Sequence, residues 1–187
     1  MKKLYLLLTF LILQINMTTA QNKVSGVSVY ETLSFDGNKL VLNGAGVKEK
    51  MWIDLYVASL YLPSKSTNAD EIINSSEPAI IKINIVSSLV STDKMIELME
   101  EGFVNATNGN ITSIKTKIDK FLTVFRDDLK EKDEFMIVFN PKIGITVFKN
   151  GVKKGTIEGM DFKKALFGVW LCIKPADEKL KRAMLDN

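Results

Sequence analysis

The 187-residue chain has no histidine and one cysteine, Cys172. The first absence excludes Ser-His-Asp triads, histidine-based metal sites and the usual general base near neutral pH. The second excludes any internal disulfide, so the fold has to be held by packing. Charge of one sign is lacking too, since 25 lysines and arginines face 22 aspartates and glutamates. Without Lys2 and Lys3, which belong to a leader, the balance is 23 to 22 and gives no basis for nucleic-acid binding. Nucleotide loops are also missing. In "LNGAGVKEK", Leu42 to Lys50, Glu49 stands where a dinucleotide fingerprint needs its third glycine, and no serine or threonine follows Lys48.

What is present begins with that leader. Lys2 and Lys3, the apolar run "LYLLLTFLILQI" and the small residues Thr18-Thr19-Ala20 have the order of a secretory signal peptide, residues 1–20. Export is therefore expected, to the periplasm in a Gram-negative host and otherwise out of the cell. No cysteine stands at the cleavage point to carry a lipid anchor, and after Gln21 no apolar run is long enough to span a bilayer. Residues 21–187 have the length of one ordinary domain.

Alternating runs "VSVYETLSF", "KLVLNGAG" and "MWIDLYVASLYLP", with Asp36-Gly37 between the first two, predict antiparallel strands. The Gly44-Ala45-Gly46 run reads as a bend or bulge in a strand. "TNADEIINSS" predicts a short helix capped by Thr67 or Asn68. In "AIIKINIV", Ile81, Ile83 and Ile85 share one face, the period of a half-buried strand. Ser91 or Thr92 caps a helix that carries Met95, Leu98, Met99, Gly102 and Phe103 on one side. Ile114, Ile118, Phe121, Leu122 and Phe125 continue the helical region. "EFMIVFNP", "GITVFKNG" and "VKKGTIEG" are three further strands, the last two joined by Asn150-Gly151. "DFKKALFGVWLCI" is apolar around most of its circumference and predicts a helix buried against the sheet, and "ADEKLKRAML" predicts a short amphipathic finish. Strands flanking a helical block predict an α+β fold, an antiparallel β-sheet with a layer of α-helices packed on one face.

The residues show little chemistry by themselves. Asp127-Asp128 and Glu100-Glu101 read as solvated charge, and Cys172 in its apolar helix reads as an inert thiol. No metal and no cofactor are expected. Three longer stretches say more: "LNGAGVKEKMWIDLYVASLYLP", "NGVKKGTIEGMDFKKALFGVWL" and "KPADEKLKRAML". Together, from about Leu40 to Leu185, they resemble the bacterial, exported branch of the chalcone isomerase-like family.

The resemblance implies an antiparallel sheet with helices on one side and a ligand cleft between the two layers. That family contains plant enzymes that close chalcones to flavanones, and relatives without that activity that bind fatty acids. The arginine that steadies the substrate oxyanion in the enzymes falls on Lys48, which keeps the charge and loses the two-pronged fork. The family threonine on the next strand falls on Tyr56, its tyrosine and asparagine on Lys94 and Glu101, and its C-terminal threonine on Val169, which donates no hydrogen bond. Most of the catalytic set is thus absent, and even one missing oxyanion donor lowers a rate about 100-fold or more. "WLCIKP" departs from the exported relatives' Trp-x-Gly-Asp-x-Pro pattern at Cys172 and Ile173, which unsettles the turn before Pro175.

The favoured reading is a non-catalytic protein that binds a fatty acid or similar small anionic amphiphile. Lys48, Tyr56 and Lys94 would serve its head and Trp170 its walls, together with Phe103 and Phe167, so an apolar tunnel should reach Lys48. The alternative is an isomerase or lyase acting on an enone, with a hydroxyl such as that of Tyr56 in the same cleft. A third reading is an interaction protein whose cleft is filled and whose Lys48 points to solvent. Each residue also has a plain structural reading: Lys48 as an exposed turn lysine, Lys94 as a solvated partner of Glu97 and Glu101, Phe103 and Trp170 as core. The expected partner is a small hydrophobic or amphiphilic ligand, with no nucleic acid and no membrane span in the mature protein.

Overall fold

The structure, a computed structural model, describes residues 21–186, and the expected signal peptide lies outside them. The first two strands, β1 (Gln21–Val24) and β2 (Val27–Tyr30), form a separate hairpin. Seven more make one antiparallel sheet in which spatial order equals chain order: β3 (Thr32–Phe35), β4 (Asn38–Lys50), β5 (Ile53–Leu62), β6 (Ala79–Ile85), β7 (Glu134–Asn140), β8 (Gly144–Lys149) and β9 (Val152–Ile157). Helix α1 (Ala69–Asn74) links β5 to β6, while α2 (Thr92–Ala106) and α3 (Lys115–Leu122) link β6 to β7. Helices α4 (Met160–Leu171) and α5 (Glu178–Met184) follow β9. The architecture is the expected α+β sheet with a helical layer.

Local chemistry accounts for most of the boundaries. Asn68 caps α1 by accepting from Glu71 N, and Ser91 caps α2 by accepting from Lys94 N, which satisfies amides that the first turn of a helix leaves unpaired. On β6, Ile81, Ile83 and Ile85 are buried together beneath the helices. They meet Phe135, Ile137 and Phe139 of β7 and the inner faces of α2 and α4, including Met99, Phe103, Phe162 and Phe167. Burying side chains of this size stabilises the fold by roughly 1.5–3 kcal/mol each before the loss of chain entropy. The opposite face carries a smaller cluster, Val29, Leu40, Val57, Tyr61, Ile80 and Val138, with Val24 and Val27 of the separate hairpin packed against it.

One expectation is corrected and another is extended. "VSVYETLSF" is divided at Glu31 into β2 and β3, because Val27–Tyr30 pairs back on the largely polar "QNKV" segment, which has no alternation to announce it. The glycine run has the expected irregularity, and its strand runs on past it. Strand β4 continues through Gly44, Ala45 and Gly46, with a register irregularity at Asn43. Helix α5 lies directly on these glycines, where a Cβ on Gly44 would come 2.2 Å from Ala183 O and one on Gly46 2.6 Å from Ala183 Cβ. The run is a helix seat.

Candidate functional site

Gly44, Gly46 and Lys48 alternate along one face of β4, so the strand that seats α5 presents a lysine just beyond it. Tyr56 of β5 is the direct cross-strand partner of Lys48, which puts both side chains on the same side of the sheet. Trp170 comes from α4, and its indole Nε1 donates to the Tyr56 hydroxyl at 3.2 Å. Asp177, the N-cap of α5, accepts from Leu180 N through Oδ1 at 2.9 Å and turns Oδ2 to Lys48 Nζ at 3.2 Å. Lys48 Nζ also donates to Ala176 O at 3.2 Å, and the residue is only 9% exposed, which rules out a solvent-facing turn lysine.

Leu98, Val169, Ala176 and Leu180 close the remaining space to about 20 Å³, enough for one water molecule. Among the described residues no open tunnel reaches Lys48. Burial pushes the Tyr56 hydroxyl well above its ordinary range, Trp170 lowers it slightly, and the Asp177 charge raises it further. Tyr56 therefore keeps its proton at neutral pH and can donate to an anion. Among the described residues, none accepts that proton.

Three of the four expected site residues, Lys48, Tyr56 and Trp170, line this cleft together. Lys94 does not. It leaves α2 toward Glu97, to which its ammonium donates at 2.6 Å, because a partner three residues ahead on the same helix face is nearer than the cleft. Phe103 packs with Phe121 and Phe162, and Phe167 with Phe139, so both belong to the general core. Val169 is in the cleft as the matched position, and Cys172 begins the irregular connection from α4 to Asp177.

Two charged groups escaped the sequence reading. Asp177 had a signal, an acid directly before "EKL" at a helix start, which is the composition of an N-cap. Lys163 had none, because next to Lys164 and Asp161 it reads as part of the narrow polar side of a mostly apolar helix. It is 1% exposed and donates to the carbonyls of Ile72 (2.6 Å), Ile73 (2.9 Å) and Ser75 (2.9 Å) at the end of α1, between the rings of Phe139 and Phe167. A wider apolar groove of about 400 Å³ lies near the far end of β5, lined by Leu62, Pro63, Ile72 and Pro78. Its charged lining residues are Glu71 and Glu77, the wrong sign for an anionic head group. Among the described residues no three acids or thiols gather as a metal site, and no helix is long and apolar enough to cross a membrane.

This geometry can be set beside known proteins. No curated protein sequence matches the chain. Among solved structures, a fatty-acid-binding protein of Arabidopsis thaliana is similar in fold, with a TM-score of 0.68 at 14% identity, over 87% of this chain and 93% of the plant chain. A family model described as chalcone isomerase-like matches residues 21–186, every element from β1 to α5. On that match, the chain belongs to the chalcone isomerase-like family.

Proposed function

We propose that this chain is an exported, non-catalytic protein that binds a fatty acid or similar small anionic amphiphile between the sheet and the helices. The observation that carries the reading is the Lys48–Asp177 contact: the cleft already holds one carboxylate against a buried cation. A ligand carboxylate would take the place of Asp177 and accept a second hydrogen bond from Tyr56. The alkyl chain needs far more than 20 Å³, so entry requires α5 and the Cys172–Asp177 connection to move off β4. Leu98, Val169, Leu180 and Trp170 would then become its walls. The plant protein of similar fold is a fatty-acid-binding protein, which favours the same ligand class here.

A tyrosine that holds its proton is a donor rather than a base, and Val169 offers no donor at all, so the cleft suits binding better than enone chemistry. Export rests on the leader composition of residues 1–20. The test is native mass spectrometry with lipid extraction on protein purified from its own host, followed by titration of the delipidated protein with palmitate. The expected result is a co-purifying fatty acid in the wild type and at least tenfold weaker palmitate binding in Lys48→Met, as for loss of a charged partner. Wild-type protein that is empty and takes up no palmitate overturns the reading.

A further inference from the structure

Among the described residues, four strand pairs are joined by two-residue turns with the same left-handed backbone. Three have the residues such turns favour: Ser25-Gly26 (φ 44° and 78°), Asp36-Gly37 (49° and 75°) and Asn150-Gly151 (51° and 78°). The fourth, between β4 and β5, is Met51-Trp52 (49° and 68°). Side chains this large are strained at positive φ. Trp52 is nonetheless 100% exposed and Met51 78%, and neither joins an apolar cluster. Among the described residues nothing compensates for strain and exposure at one spot.

The surroundings indicate the partner. The last paired rung is Lys50 and Ile53, and Ile53 is also exposed. Among the described residues no carboxylate lies within ion-pairing distance of Lys50, whereas Lys94 beside it is matched by Glu97. The acids of the next rung are engaged, Glu49 by Lys179 and Asp54 by Ser25. The tip is therefore a convex projection of methionine, indole and isoleucine beside Lys50, which has no ion-pair partner among the described residues, although the charges of Lys94, Glu97 and Glu101 on α2 reach it. An indole settles at the head-group level of a bilayer, apolar side chains enter the acyl boundary, and a lysine reaches back to phosphate.

We propose that the β4–β5 tip docks on a phospholipid bilayer carrying anionic head groups, with Met51 and Trp52 inserted and Lys50 at phosphate depth. Lys48 and Tyr56 lie two rungs behind that tip on the same hairpin, so the contact would bring the cleft to a source of acyl chains. That last link rests on the proposed function; the docking itself does not. A single apolar tip gives reversible rather than permanent attachment.

The test uses the chain from Gln21 onward, which holds the whole sheet and helical layer, with vesicles of phosphatidylethanolamine and phosphatidylglycerol and no free fatty acid. The chain has two tryptophans, and Trp170 is buried, so lipid-dependent changes in emission report on Trp52. Co-sedimentation, a blue shift and quenching by brominated lipid are expected. In Met51→Asn/Trp52→Gly the turn is supplied with its preferred residues, so the variant should melt higher than the wild type while binding vesicles at least tenfold less. A wild type that does not sediment, or a variant that sediments equally, overturns the proposal. A concentration-dependent dimer lost in the variant, without vesicle binding, overturns it in favour of a second copy of this chain.

Discussion

Lys48 and Lys163 are both buried cations at helix ends, and they are held in opposite ways. Lys163 meets the carbonyl end of α1, where neutral dipoles and two aromatic faces surround the ammonium and no carboxylate takes part. Lys48 meets the amino end of α5, where backbone amides repel a cation, and it is held there by the carboxylate of the capping residue. One arrangement satisfies carbonyls that have no other role. The other depends on a single charge, carried by the last helix of the fold, which under the proposed function a ligand carboxylate would replace. A buried lysine is thus a structural clamp or a ligand-binding group according to whether its partner can be exchanged.

The largest effect expected from this comparison is on stability at Lys163. Lys163→Met leaves three carbonyls near the end of α1 without their donor, at a cost of about 2–3 kcal/mol as judged by the penalty for orphaned polar groups. Urea unfolding should show that loss while palmitate uptake stays intact. The pH dependence sharpens the point. Burial pushes Lys163 down to about 8 from its ordinary 10.5, and Lys164 adds to the effect. Between those values the unfolded chain holds a proton that the folded chain has released, so on this residue's account stability rises with pH from about 8 to 10.5 and is flat below 8. The stability gap between wild type and Lys163→Met should therefore widen from pH 7.5 to pH 10. A constant gap would mean that the ammonium titrates as in water.

The sequence made the sheet legible because strand periodicity, hairpin dipeptides and helix caps are local signals, and the helical layer followed from the stripes on α2 and α4. Trp170 entered as an apolar wall that also read as core. Tyr56 came with the family resemblance, and so did Lys48, although as a residue with two readings. What separated those readings was contact with Ala176 and Asp177, about 130 residues away, which no local pattern encodes. Lys94 shows the reverse: its spacing to Glu97 was the better guide, and the family position was not. Lys163 was invisible because a lysine inside an apolar helix carries no mark of the carbonyls it will meet. The glycines of β4 signalled a special backbone, and only the docked α5 explains which kind.

A smaller effect, but the one that most directly breaks the comparison, is expected at Asp177. Asparagine is as good an N-cap as aspartate, so Asp177→Asn should keep the bond to Leu180 N and the start of α5 while removing the charge opposite Lys48. Lys48 would then have no internal anion to give up. A pair this far out of solvent lies between exposed and fully buried pairs and contributes about 1.5 kcal/mol, so affinity for palmitate should rise about tenfold, with a loss of similar size in the stability of the empty variant. Calorimetric titration of wild type and variant side by side separates the outcomes. Tighter binding in the variant means that Asp177 occupies the position of the ligand's carboxylate. Binding by the wild type with no gain in the variant would make Lys48 a fixed clamp like Lys163, and the ligand head would have to lie elsewhere. If neither protein binds at any concentration, the binding function itself falls, and the Lys48–Asp177 pair serves only to fasten α5 to its glycine seat.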